Sequence, residues 1–240
     1  ATRDFGWIIG ADKQFGLRAY ALGGTEVSAL PIGRLNNVDA VRLDERRFLL
    51  AASNRSDRSI SLFSAAPDAT APNIEHVGEI PLTLDDPYGL CMATLDSKHF
   101  VFVGDTSGNV EMWRIKDESD GVLEKTWSFA SQTEGCVVDE ALSVLYVGEE
   151  TRGIWEVELA TGDRRLLAAV DGATLVADVE GVDLLDTGDA LFLVVSSQGN
   201  NRFSIYTLPD GHRVLTLAIV ADYARGIDGV SETDGLAISE

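Results

Sequence analysis

The chain has 240 residues, 45% of them hydrophobic, which is enough apolar material for the core of one large domain or two small ones. Its 39 acidic residues against 19 basic ones leave a net charge of −20; this repels nucleic acid and anionic membranes and makes cations the natural counterpart. No apolar run reaches the roughly eighteen residues of a membrane-spanning helix, and the residues up to Trp7 lack the basic-then-apolar pattern of an export signal. Neither a nucleic-acid nor a membrane partner is expected.

Taken in chain order, the sequence is a series of short apolar runs punctuated by Gly, Asp and Ser, which favours strands over helices. The stretches Trp7 to Gly10, Leu17 to Tyr20 and Val27 to Ile32 supply the last three strands of a four-strand unit, with no first strand. A complete unit begins at Asn37-Val38-Asp39-Ala40-Val41 and continues through Phe48 to Ala51 and Ile60 to Phe63. The next begins at Tyr88-Gly89-Leu90-Cys91, with Phe100 to Val103 and Val110 to Trp113. A third runs from Thr133-Glu134-Gly135-Cys136 through Val144 to Val147, Gly153 to Val157 and Leu166 to Ala168. The fourth runs from Val179-Glu180-Gly181-Val182 through Leu191 to Val195, Phe203 to Tyr206 and Val214 to Leu217. Thr233-Asp234-Gly235-Leu236-Ala237-Ile238 is a first strand again.

A period of roughly 45 to 50 residues with four strands each is that of a β-propeller. An all-β propeller of four-stranded antiparallel blades is therefore expected, about five blades' worth, as a single domain over residues 1–240 that is truncated or incomplete. Either the C-terminal strand completes the first blade, or the chain is part of a larger propeller. Connections such as Ala65 to Glu75 and Lys116 to Glu124 are too short, or too broken by Pro, Asp and Gly, for the helices of an α/β fold. Cys91 stands two residues after its glycine and Cys136 one, so on corresponding strands their side chains point to opposite faces. They are two free thiols or one bridge, and the opposed phases favour free thiols.

In a propeller the first strand of each blade lines the central channel. Here those strands carry Asp39, Tyr88, Glu134, Asp178 with Glu180, and Asp234, which gathers acids around one axis. Crowded carboxylates raise one another's pKa unless a cation neutralises them, and oxygen ligands without Cys or His suit Ca²⁺, and Mg²⁺ less well.

Several runs resemble the β-propeller phytases, along nearly the whole chain and in order: Leu35-Asn36-Asn37-Val38-Asp39, Ala52-Ser53-Asn54-Arg55-Ser56, Ser131-Gln132-Thr133-Glu134-Gly135, Ala177-Asp178-Val179-Glu180-Gly181, Thr233-Asp234-Gly235 and, most specific, Ser196-Ser197-Gln198-Gly199-Asn200-Asn201. The resemblance implies a six-bladed fold and a calcium-dependent phosphomonoesterase of phytate (myo-inositol hexakisphosphate) or lower inositol phosphates. Several Ca²⁺ ions would hold phosphate and activate the attacking water. It implies that Glu134, Asp178, Glu180 and Gln198 are catalytic calcium ligands, that Asp234 and Gly235 belong to a tighter calcium, and that Glu149 or Glu150 is an active-site acid. Tyr88 lies at the phosphate and calcium site, and Lys13 and Arg55 bind phosphate; Asp39 is counted with the metal-facing acids. The substrate would be taken as a calcium complex.

Departures from the family pattern accompany the matches. A second lysine expected beside Lys13 is Gln14, and a Lys and Glu expected in the third blade are replaced at about Thr106 and Ser107, which thins the outer phosphate contacts. An alternative follows: a weakly active or non-catalytic calcium and phosphate binding domain, paired with a second phytase domain in the same parent chain. Export to a secreted or periplasmic location is expected, with no signal peptide in this chain. His76, His99 and His212 have no metal-ligand spacing, no serine sits in a nucleophile-elbow pattern, and Trp113 and Trp155 read as packing between blades.

Overall fold

Every apolar run picked out by period becomes a strand in the computed structural model except Thr233–Ile238, which was read as a first strand and forms none; the structure describes residues 6–68, 71–117 and 119–239, and the segment read for an export signal lies, up to residue 5, outside them. Two compact units form, one ending at Ser128 and one beginning at Phe129. Among the described residues the regular structure is β throughout apart from a 3₁₀ turn at Gln198–Asn200. None of the helical structure is long and apolar enough to cross a membrane.

The first unit holds three antiparallel sheets, each a meander of consecutive strands. They are β1 (Trp7–Asp12), β2 (Gly16–Ala21) and β3 (Glu26–Pro31); β4 (Leu35–Arg42), β5 (Phe48–Asn54), β6 (Ser59–Ala66) and β7 (Asn73–Pro81); and β8 (Pro87–Leu95), β9 (Lys98–Asp105), β10 (Asn109–Asp117) and β11 (Asp120–Ser128). The second unit holds two four-stranded meanders. These are β12 (Thr133–Asp139), β13 (Val144–Glu149), β14 (Gly153–Glu158) and β15 (Arg164–Ala169), then β16 (Val179–Asp186), β17 (Leu191–Ser197), β18 (Arg202–Thr207) and β19 (Arg213–Leu217). These are the blades of a β-propeller, the fold class expected.

Within each unit the first strand of a blade packs on the first and second strands of the blade before: β8 on β4 and β5, and β16 on β12 and β13. β4 packs on β1 in the same way. β1 therefore takes the place of a second strand, as the sequence pattern of three last strands implies. The inner strands are apolar on both faces because they are covered on both faces. Along β5, Leu50 and Ala52 pack with Leu17, Leu35 and Phe63, while Leu49 and Ala51 pack the other way with Leu62, Leu90, Val101 and Trp113. In the second unit Val179, Val182, Leu193 and Val195 close on Tyr146 and Ile154. Each such buried aliphatic side chain contributes about 1.5–3 kcal/mol. Trp113 is in the core between blades as expected, whereas Trp155 is half-buried, beside Phe129 and under Arg164.

Neither cysteine is a free thiol: Cys91 and Cys136 are both disulfide-bonded. This corrects the expectation drawn from their phases. Phase along a strand fixes only the face on which a side chain stands, and not whether a second sulfur lies within bonding distance of it.

Candidate functional site

The innermost strand of each complete blade gains one residue on its partner at the same place. Leu35 faces Asn54 but Val38 faces Ala52; Pro87 faces Asp105 but Leu90 faces Val103; Thr133 faces Glu149 but Cys136 faces Val147; Val179 faces Ser197 but Val182 faces Val195. A bulge of this kind breaks the two-residue alternation and re-aims a side chain. The residues so placed are Asn36, Tyr88, Glu134 and Glu180, and Asp234 repeats the pattern in Thr233-Asp234-Gly235-Leu236.

Glycine follows Glu134 and Glu180 because the neighbouring backbone comes too close for a side chain. A Cβ on Gly135 would lie 2.1 Å from the Glu180 carbonyl oxygen, and one on Gly181 would lie 2.6 Å from the Leu236 nitrogen and 2.8 Å from the Asp234 oxygen. Close approach of backbone to backbone is what lets the acids of successive blades converge.

In the second unit Glu134, Glu180 and Asp234 each present a carboxylate oxygen, all within 4.8 Å of one another. Glu134 and Glu180 are buried and Asp234 is exposed. Burial, then the hydrogen bond and charge of Glu134, then the charges of Asp234 and Glu150 push the Glu180 carboxyl up to about 10. Its Oε2 is buried without a hydrogen-bond partner among the described residues. An all-oxygen donor set with a buried, unbonded carboxylate oxygen fits a hard divalent cation of the calcium type.

The adjacent acids Glu149 and Glu150 separate by register. Glu149 ends β13 opposite Gly153 as Asp12 ends β1 opposite Gly16 and Asn54 ends β5 opposite Ser59. It is buried, and accepts the Trp155 indole N–H at 2.7 Å and the Ser131 hydroxyl at 3.0 Å. Glu150 comes one residue later, where the other hairpins carry Lys13, Arg55, Thr106 and Gln198; it accepts from the Gln132 amide and acts electrostatically on Glu180. Asp178 and Gln198 adjoin each other, the Gln198 N–H donating to the Asp178 carbonyl at 3.0 Å. Gly235 is exposed beside Asp234.

In the first unit three predicted phosphate residues converge. The Lys13 ammonium lies 5.4 Å and the Arg55 guanidinium 4.8 Å from the centre of the Tyr88 ring, a cation–π pair of contacts. Asp86 takes Arg55 as a fork, from Nε and Nη2 at 2.8 Å each. The hairpins that hold Lys13 and Arg55 are folded by a short polar side chain at the end of the preceding strand. The Asp12 carboxylate accepts the Gln14 and Phe15 N–H groups, and the Asn54 amide oxygen accepts those of Ser56 and Asp57.

A family model described as Phytase matches residues 3–239. The chain belongs to the phytase family. It is 29% identical over 250 residues to the 3-phytase of Bacillus subtilis (strain 168), covering 96% of this chain and 65% of that protein. The chain thus spans a little under two thirds of the length of this curated relative.

On this phytase-family chain the sequence reading misplaced one acid by phase. Asp39 lies three residues beyond the bulge position, which is Asn36, and its two carboxylate oxygens accept the N–H groups of Ala40 and Met92, each at 2.7 Å. The sequence of β4 alone hides this; pairing β4 against β5 reveals it. Two further residues carried no motif: Asp86, which grips Arg55, and Asp183, whose Oδ1 accepts the Leu184 N–H at 2.8 Å and Oδ2 the Ile238 N–H at 2.6 Å.

Proposed function

We propose that this chain is a calcium-dependent phosphomonoesterase that releases phosphate from phytate or lower inositol phosphates by attack of water on phosphorus. The observation that carries the reading is the convergence of Glu134, Glu180 and Asp234 with a buried, unbonded Glu180 oxygen. These three would hold calcium, with Asp178, Gln198 and the Gly235 backbone of the same unit as further ligands to several ions. When bound, calcium supplies the positive charge that draws in phosphate oxygens and acidifies the attacking water. Lys13 and Arg55 bind phosphate oxygens, and Asp86 orients the planar fork of Arg55 for that contact. Glu150, oriented by Gln132, is the carboxylate assigned to receive the proton that the attacking water gives up.

The test is phosphate release from phytate and from a lower inositol phosphate across a calcium titration with a chelator blank. Release that rises with calcium and stops in chelator is expected; release that persists in chelator overturns the reading. The two neighbouring acids give a finer check. Glu150→Gln is expected to lower turnover by about 10²-fold or more with the melting temperature nearly unchanged. Glu149→Ala is expected to cost about 1–3 kcal/mol of stability, because it strands the Trp155 N–H, and to leave calcium affinity alone. The reverse pattern would exchange their roles.

A second reading has its own support. The third-blade hairpin carries Thr106 where the first two carry Lys13 and Arg55, so the cationic contacts end there. Calcium-dependent phytate binding without release would make the chain a binding module beside a second, active phytase domain. The disulfide state of Cys91 and Cys136 supports a secreted or periplasmic location, since such bonds persist in oxidising compartments.

A further inference from the structure

Asp234 stands on a segment with no strand pairing among the described residues. Thr233–Ile238 follows β19 by a long connection and carries none of the ladder that holds the other inner strands. Burial does little to hold it: Thr233 is buried, Leu236 and Ile238 are half-buried, and Asp234, Gly235 and Ala237 are exposed. What ties it to β16 and β17 is a set of individual bonds. The Ile238 N–H donates to Asp183 Oδ2 at 2.6 Å, the Ser196 hydroxyl donates to the Thr233 carbonyl at 2.9 Å, and the Gly181 N–H donates to the Asp234 carbonyl at 3.3 Å.

A closely similar joint occurs among the described residues of the first unit, its serine bonding one residue further along the seated strand. In the first unit Asp39, at the place along β4 that Asp183 holds along β16, accepts the Met92 N–H at 2.7 Å, and Ser53, at the place of Ser196, donates to the Tyr88 carbonyl at 2.5 Å. Met92 stands four residues past Tyr88 as Ile238 stands four past Asp234. The joint of β16 onto β12 does without it, since Val137 and Gly148 fill the two positions. An Asp and Ser pair is therefore not needed to stack one complete blade on another. At residues 233–238, which carry no ladder among the described residues, the pair supplies two of the bonds to β16 and β17.

We propose that Asp183, assisted by Ser196, is a positioning residue for the cation site: it seats Thr233–Ile238 on β16 and so delivers the Asp234 carboxylate to Glu134 and Glu180. This rests on the calcium reading of that cluster. Both oxygens of Asp183 are required, one for Leu184 and one for Ile238, so Asp183→Asn turns an amide NH₂ toward one of two N–H donors and breaks a bond without changing shape. By linkage, calcium tightens the segment by the factor that the segment tightens calcium.

Four proteins of this 240-residue chain decide it: the parent, Asp183→Asn, Ser196→Ala and, as a control on the joint in the first unit, Asp39→Asn. Backbone hydrogen exchange of residues 233–238 is followed in chelator, and calcium affinity is measured by titration calorimetry. Asp183→Asn is expected to speed exchange across the segment and to weaken calcium by roughly 10- to 100-fold, as loss of a group that orients a metal ligand does. Asp39→Asn is expected to lower the melting temperature comparably and to leave exchange of residues 233–238 at the parental rate, so that a general loss of stability does not account for faster exchange in Asp183→Asn. Unchanged exchange in Asp183→Asn overturns the proposal, as does faster exchange with parental calcium affinity. If Asp183→Asn does not fold, Ser196→Ala carries the same two measurements. If the parent itself takes up no calcium, the functional reading falls, and exchange in chelator still decides whether Asp183 seats the segment.

Discussion

Glu180→Gln is expected to abolish calcium-dependent phosphate release and, in the absence of metal, to make the protein more stable. The two effects have one cause. Glu180 sits 5% exposed between Glu134 and Asp234, in a place built to be neutralised. Without a cation its carboxyl keeps its proton, being pushed up to about 10 from an ordinary 4.5 by burial and by Glu134 first. At pH 7 the unfolded chain has lost that proton, and taking it up again on folding costs about 3 kcal/mol, the distance from 4.5 to 7. Glutamine is neutral in both states and escapes that cost.

The sign of the pH dependence follows. A group whose folded pKa is raised makes the folded state bind the proton more tightly, so its contribution is greatest below about 4.5 and declines as pH rises toward about 10. In chelator the melting temperature of the parent should fall between pH 5 and pH 9 by an amount that Glu180→Gln largely removes, and saturating calcium should flatten the parent's profile. Parallel profiles for parent and variant in chelator would show that Glu180 is not the strained group. Loss of phosphate release with parental calcium affinity would move the metal away from the cluster.

Gly135→Ala is expected to be among the most damaging single methyls in the second unit and the one that strikes the carboxylate cluster directly. Its Cβ would stand 2.1 Å from the Glu180 carbonyl oxygen, 2.8 Å from the Val182 nitrogen and 2.9 Å from the Glu180 carbonyl carbon, and all three are backbone atoms with no rotamer to yield. β12 and β16 must then part at the point where Glu134 and Glu180 meet. Overpacking of this kind costs about 1–3 kcal/mol where side chains can adjust, and more is expected here. Calcium should no longer raise the melting temperature. By contrast Gly10→Ala, with nothing within 4 Å of its Cβ, should be nearly silent. A folded Gly135→Ala protein with parental calcium stabilisation would show that the close approach of β12 to β16 does not build the site.

How much of this was legible beforehand differs from residue to residue. Alternation and period are properties of consecutive residues, so the strands, the four complete blades and the incomplete first one follow from the sequence. The acids Glu134, Glu180 and Asp234 were legible too, because each precedes a glycine in the same local pattern. Asp39 looked like one of them and is not. The difference lies in a bulge, which is a relation between a strand and its partner and leaves no mark on the strand alone. Glu149 and Glu150 are adjacent and alike as text, and only the turn of the β13–β14 hairpin sends one to Trp155 and the other toward Glu180.

The disulfide state of Cys91 and Cys136 was misjudged because phase along a strand carries no information on the distance to another sulfur. Asp86 and Asp183 belong to no motif, since their partners are Arg55, 31 residues back, and Ile238, 55 residues on. The sequence by itself determined the strands, the blade repeat and the chemical character of the site, since these depend on residue type and short-range order. Tertiary structure alone decided which carboxylates meet and which are absorbed by backbone N–H groups, because a distance of a few ångströms between remote segments is set by register and packing.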